Sequence, residues 1–455
     1  MKTTTLLLGL ATCFFSSSYG QDRPDIIIQY KDITDIELKL IGNTGNTIID
    51  PTDLEFHPDL SKNELWVVNK GSEAAGGHTV IFSNTGEDTQ TSISKADEFN
   101  EIYMSRVTGI AFSSNENFAT SSGTWDEHHD GGDPFTGPTL WSSDLTVYGE
   151  PGMGDGSHID DLHQSPYGQG IAWDSLNVFW VFDGYMGELV RYDFMADHGP
   201  GGYGSSDGVV HRYGGLGLQR DTNDVVVSHL AIDHNSKWLY AVDNGNKRVI
   251  RLDITSGTIG GTPFFGPFEM LAEYKYIVDF DWEVVVEDSL VEPSGIAIVG
   301  NKMLVADHSN GDIIVYTTEG STAFDEWFRI KTDDPGIQGI EIGPDGRIYY
   351  TNEYNNKVRR IDSPSLSLPD YPKKPAFSVT LYPNPSVDFV TVSSNSDLSQ
   401  AKIELITQDG KLLEVPTELI SDDRAHIDAS NLESGVYFVR ISTETGITSQ
   451  RLILK

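Results

Sequence analysis

The chain has 455 residues, 31 basic against 68 acidic side chains, and a formal net charge of −37. Such a surface repels phosphates, which excludes nucleic acid as an expected partner and favours cations. A lone cysteine, Cys13, excludes disulfides, so the core must hold without covalent staples.

Lys2 precedes an apolar run over residues 6–15 and then the small residues Ser18-Tyr19-Gly20. Residues 1–20 are predicted to be a secretory signal peptide, cut after Gly20 and carrying Cys13 away with it. No later stretch reaches the roughly 20 apolar residues of a membrane-spanning helix, so no transmembrane segment is expected.

Residues 45–362 repeat one unit, whose starts read Thr52-Asp53-Leu54, Thr108-Gly109-Ile110, Gln169-Gly170-Ile171, Ser228-His229-Leu230, Ser294-Gly295-Ile296 and Gln338-Gly339-Ile340. A second apolar strand follows each start, as in Trp66-Val67-Val68, Phe179-Trp180-Val181 and Leu304-Val305-Ala306, and is weaker in the second unit at Asn117-Phe118-Ala119-Thr120. A polar turn then leads to a third strand such as Arg248-Val249-Ile250-Arg251-Leu252. Turn residues punctuate these runs and no helical period interrupts them, so the predicted class is all-β. One such sheet cannot bury both faces, whereas six arranged radially can, which makes a six-bladed β-propeller. The last unit lacks an outer strand, and Asp25-Ile26-Ile27-Ile28-Gln29-Tyr30 is expected to supply it and close the ring.

The segments Asp243-Asn244-Gly245-Asn246-Lys247-Arg248-Val249, Asp307-His308-Ser309-Asn310-Gly311-Asp312-Ile313 and Asn352-Glu353-Tyr354-Asn355-Asn356-Lys357-Val358 resemble NHL repeats. The Pro- and Ser-rich residues 363–376 read as a linker, which leaves 21–362 for the propeller.

Residues 377–455 open with Leu381-Tyr382-Pro383-Asn384-Pro385-Ser386, continue through Asp409-Gly410-Lys411 and Gly435-Val436-Tyr437-Phe438, and finish on Arg451-Leu452-Ile453-Leu454-Lys455. This order resembles the C-terminal sorting domain of type IX (Por) secretion cargo. The resemblance implies a small β-sandwich domain after the propeller. It also implies the type IX machinery as partner, a secreted or outer-surface location, and Tyr382, Pro383, Asn384, Pro385, Gly435, Tyr437 and Lys455 as sorting-signal residues.

In a propeller, the start of each inner strand and the end of each second strand lie on one face. The first ring is Thr52, Thr108, Gln169, Ser228, Ser294 and Gln338; the second includes Asn69, Asp183, Asp243, Asp307 and Asn352. Oxygen donors converging there would suit calcium or another divalent cation, while the same residues also cap turns by side-chain hydrogen bonds. Some six-bladed NHL relatives are amidating lyases that hold zinc through first-ring histidines, and Thr, Ser or Gln in those places argues against that activity. Lactonase-type relatives hold calcium at the tunnel with carboxylates and amides, and the second ring is compatible with that. The loops bearing His128, His129, His158 and His163 belong to the same face and form an alternative metal site. His198 and His211 follow the third strand of the third unit and are expected on the opposite face. Gly204-Ser205-Ser206-Asp207-Gly208 fits the nucleophile-elbow pattern but lacks the strand-to-helix setting. Two functions follow: a secreted or surface module that binds an extracellular ligand, and a metal-dependent extracellular hydrolase or lyase working at the tunnel mouth.

Overall fold

The structure is a computed structural model that describes residues 23–366 and 379–455, apart from 153, 203–204, 224, 395–396, 408–411, 414 and 444–445. The signal peptide, most of the linker and Asp409-Gly410-Lys411 lie outside the described residues. Residues 20–371 form one compact unit, and residues 372–455 belong to another.

The larger unit is a six-bladed β-propeller. Its blades are six sheets, each antiparallel through its first four strands, whose innermost strands are Pro51–Phe56, Val107–Phe112, Gly168–Ser175, Leu230–Asp233, Pro293–Val299 and Ile337–Ile342. Each inner strand packs on the next, and the first packs on the sixth. Strand alternation gives every blade two apolar faces, and each face meets a neighbour. One core cluster therefore fills each interface in turn: Trp66 with Phe118 and Trp141, Ile159 with Phe179 and Tyr192, Trp180 with Leu239, Tyr240 with Met303, Leu304 with Ile348, and Tyr349 with Phe56.

The repeated Gly-Ile pair has a steric cause. In five blades the first-ring residue lies at a register shift of the inner strand, and a bulge of this kind re-aims the side chain. A Cβ on Gly170, Gly295 or Gly339 would come within 2.5 Å of the neighbouring inner strand. The first and fourth blades replace this glycine with Asp53 and His229, and these two side chains meet in the centre, His229 Nε2 3.5 Å from Asp53 Oδ1. His229 Nε2 also lies 3.2 Å from Thr52 O, so His229 bridges from blade four to blade one.

Ring closure differs from expectation. Ile27–Asp32 is a 3-10 helix, not a strand, and the outer strand of the sixth blade is Glu37–Gly42, antiparallel to Lys357–Asp362. The apolar run at 26–28 packs into the core with helical instead of alternating contacts: Ile26 and Ile27 are buried and Ile28 is exposed. Tyr30 Oη donates to Ile361 O at 2.9 Å.

The third blade is widened. Glu273–Val278 pairs parallel with its fourth strand, Val209–Tyr213, although it belongs to an excursion that starts after the third strand of blade four, Arg248–Asp253, and returns as Trp282–Val286.

The C-terminal unit has two four-stranded sheets around its own core of Val390, Val392, Leu405, Val439, Ile441 and Leu452. Its motif residues hold the first segment to the last strand. Asn384 Nδ2 donates to Arg451 O at 2.7 Å and its Oδ1 accepts from Ile453 N at 2.9 Å. Lys455 N donates to Ser386 O at 2.8 Å, and Tyr437 Oη to Glu433 O at 2.8 Å. Gly435 begins Gly435–Thr443, the strand that pairs with the final one, Gly446–Leu454. No helix among the described residues is long and apolar enough to cross a membrane.

Candidate functional site

The second-ring residues do not form a cage. Asp183 is buried against Arg212, and its Oδ1 accepts from Tyr185 N and Met186 N at 2.9 and 3.0 Å. Asp243 accepts from Gln219 N at 2.8 Å and from Arg248 Nε at 2.7 Å. Asp307 accepts from Val291 N at 2.8 Å and Ser309 Oγ at 2.7 Å. Asn69 Oδ1 accepts from Ile49 N at 2.7 Å, and Asn352 Nδ2 donates to Pro335 O at 3.0 Å. Asp183 caps its own turn, whereas Asp243, Asp307, Asn69 and Asn352 tie down the connection arriving from the preceding blade, and the two carboxylate–histidine groups among the described residues include none of the five. The oxygens of these five residues face N–H and O–H donors of the protein.

The first ring is a set of clasps between blades. Thr52 Oγ1 donates to Val107 O at 3.0 Å, Thr108 Oγ1 to Gly168 O at 2.9 Å, and Ser294 Oγ to Ile337 O at 2.8 Å. Gln338 holds residues 225–227 over the mouth, accepting from Val227 N and donating to Val225 O.

Arg212 is the main cation of this region, fully buried, with Nε 2.6 Å from Glu188 Oε2 and Nη1 2.6 Å from Gln164 O. Arg212→Met strands two carboxylates without a counter-charge and is expected to cost about 3–5 kcal/mol in urea unfolding. Adding Asp183→Asn to that variant is expected to restore part of the loss.

The histidine loops do meet, beside the outer strand of blade two, His158–Asp161. Asp126 shapes its loop by accepting from the N–H groups of His128, Asp130 and Gly131 at 3.0–3.1 Å, which turns Glu127 inward. His163 Nε2 lies 2.8 Å from both Glu127 Oε1 and Asp161 Oδ2. Its Nδ1 lies 2.8 Å from Glu269 Oε2, and Glu269 Oε1 accepts from the His163 backbone N–H at 2.6 Å. The imidazole stacks on Phe135, centroids 3.7 Å apart. His158 Nε2 is 3.9 Å from Asp161 Oδ1, and the His128 ring is 6.5 Å from that of His163. His129 is not part of the group; it turns to Glu101 O at 3.0 Å. Burial pushes the Glu127 carboxyl up to about 7, partly offset by His163. Burial opposes charge on Asp161 and His163 as well, but their mutual attraction, with Glu269 and Glu127, holds Asp161 below its ordinary value and His163 well above its own.

A second group lies nearby. The segment bearing His198 docks on the same strand, His198 N donating to Ile159 O at 3.2 Å, so His198 ends beside Asp160 at 3.6 Å and bonds Asp207 at 2.9 Å. Connectivity to the third strand does not predict that contact.

Sequence reasoning missed three acids of the first group: Glu127 and Asp161, adjacent to its histidines, and Glu269. The first two stood in acidic runs that resemble solvated loops. Glu269 is 106 residues from His163 and arrives on the excursion from blade four; no local signal marks it.

Five aromatic rings cluster on the surface beside these loops. Trp125 meets Tyr185 edge-on at 4.9 Å and Tyr167 at 5.9 Å, Tyr185 meets Phe265 at 5.5 Å, and Phe265 meets Phe268 at 5.1 Å. The Arg220 guanidinium lies 4.3 Å over Tyr167, and Tyr185 is 52% exposed.

No curated protein matches the chain. Among solved structures it is similar to a luciferin-regenerating enzyme, at 13% identity and TM-score 0.45 over 73% of this chain and 96% of that one. It is also similar to an auxiliary nutrient binding protein from Bacteroides ovatus (13%, TM-score 0.44, 72% and 76%). A third is regucalcin, a calcium-binding protein from Agrobacterium tumefaciens (12%, TM-score 0.43, 74% and 97%). Residues 380–455 match the secretion system C-terminal sorting domain. The chain therefore carries the sorting domain of type IX secretion and is a secreted or cell-surface protein.

Proposed function

We propose that this is an NHL-type propeller that binds an extracellular ligand on the loops of blades two and three, and that it is not a hydrolase or lyase working at the tunnel mouth. The observation that carries this reading is the surface aromatic cluster of Trp125, Tyr167, Tyr185, Phe265 and Phe268 with Arg220. Clustered half-exposed rings cost solvation unless a partner covers them, and ring faces beside a guanidinium suit a ligand with an apolar face and polar edges. Sugar rings have that character. Against the tunnel-mouth reading, His229 and Asp53 meet between opposite blades and the second-ring acids are engaged by N–H groups.

The test is calorimetric titration of the mature protein with a panel of extracellular glycans, repeated with Trp125→Ala and Tyr185→Ala. Each substitution is expected to weaken binding about tenfold, equivalent to about 1.4 kcal/mol, with unchanged melting. Binding unaffected by both changes, or no binding by any glycan, would overturn the proposal.

A further inference from the structure

In the Glu127–Asp161–His163 group, with Glu269, three carboxylates share a single imidazole. Glu127 is completely buried, and neither of its carboxylate oxygens accepts a hydrogen bond. His163 Nε2 sits 2.8 Å from an oxygen of each carboxylate yet makes a well-directed hydrogen bond to neither. One N–H cannot point along two directions at once. With the Nδ1 proton donated to Glu269, an imidazole that gives up its Nε2 proton turns that lone pair toward an oxygen of Glu127 and one of Asp161. Three electron-rich atoms thus face a common point, all within 4.8 Å of one another. One proton on His163 offsets only one of the three carboxylates, and burying the others without a positive partner is costly.

We propose that Glu127, Asp161 and His163 bind a divalent first-row transition-metal ion of the zinc or manganese class, with Glu269 as the outer carboxylate that orients the imidazole. Two carboxylates and a neutral imidazole sum to −2, which such an ion neutralises. Mixed imidazole and carboxylate donors suit these ions better than an all-oxygen cation. The Glu269 contact is the carboxylate–histidine pairing that fixes tautomer and ring angle in metal sites. Phe135 stacking and the backbone bond from His163 N to Glu269 hold that geometry in advance. Three protein ligands leave a position for water or ligand. The Asp160–His198–Asp207 group is different, because His198 Nε2 already makes a directed bond to Asp207 at 2.9 Å.

The experiment uses the whole mature chain, stripped with a chelator and dialysed against zinc chloride or manganese chloride. Elemental analysis is expected to find about one ion per chain, and the melting midpoint is expected to rise with metal concentration. Cobalt substitution should give visible absorption bands. Glu127→Gln, close in shape, and His163→Ala should each weaken binding at least tenfold, and Glu269→Ala by about 10–100-fold. His198→Ala should change nothing. If a variant does not fold, stoichiometry, cobalt bands and metal-dependent melting of the parent decide. The proposal is overturned if the parent binds less than about a tenth of an equivalent and its midpoint ignores both metal and chelator, a proton on His163 then being the cation. It is also overturned if binding follows His198 instead.

Discussion

Deleting residues 23–42 is expected to abolish cooperative folding of the propeller. The sixth sheet has three strands of its own, and Glu37–Gly42 provides the fourth through a ladder from Glu37↔Asp362 to Gly42↔Val358. Without it Lys357–Asp362 becomes an open edge. The same segment inserts Ile26, Ile27, Tyr30 and Ile41, all nearly inaccessible to solvent. At about 1.5–3 kcal/mol for each buried side chain, these four contribute roughly 6–12 kcal/mol. That is as large as the whole stability of a typical domain, about 5–15 kcal/mol. Ile27→Ala is the graded version and should cost about 2–5 kcal/mol, because Ile27 is fully buried in the core cluster that also holds Ile313, Ile342 and Ile361. Chemical unfolding followed by tryptophan fluorescence measures both. A deletion that melts like the parent would show that the ring does not depend on its N-terminal clasp.

Removing residues 377–455 is expected to leave the protein in the periplasm, with the propeller still folded. Among the described residues, each of the six interblade clusters is built from the propeller and the C-terminal unit has a core of its own. The truncated chain should therefore keep its melting midpoint within about 2 °C while export falls to background in fractionated cells. Export of the truncated chain at parental levels would break the link between the sorting domain and secretion. An unfolded truncation would break the independence of the two units.

The division between what was legible and what was not follows the range of the interactions. Sheets, turns and their repetition depend on contacts within about ten residues, where alternation and turn chemistry leave a pattern. Hence the six inner strands, their Gly-Ile pairs and the turn-capping acids could all be read in the chain, as could the sorting motifs at its end. The same acids illustrate the limit. Asp183, Asp243 and Asp307 recur at one place in successive units, and recurrence cannot distinguish a shared ligand from a shared turn. Only the tertiary structure assigns Asp183 to Arg212, 29 residues away. Ring closure was expected from the missing strand, but the apolar run at 26–28 drew attention from Glu37–Gly42, whose more polar character reflects its place on the outer edge. The Glu127–Asp161–His163–Glu269 group lay furthest from reach. Its members come from a loop of blade two, the end of that blade's outer strand with the residues just after it, and an excursion of blade four, and pairings over 106 residues carry no periodicity. Composition supplies such carboxylates in abundance across a chain of net charge −37. Packing alone decides which of them lose their water and need a cation.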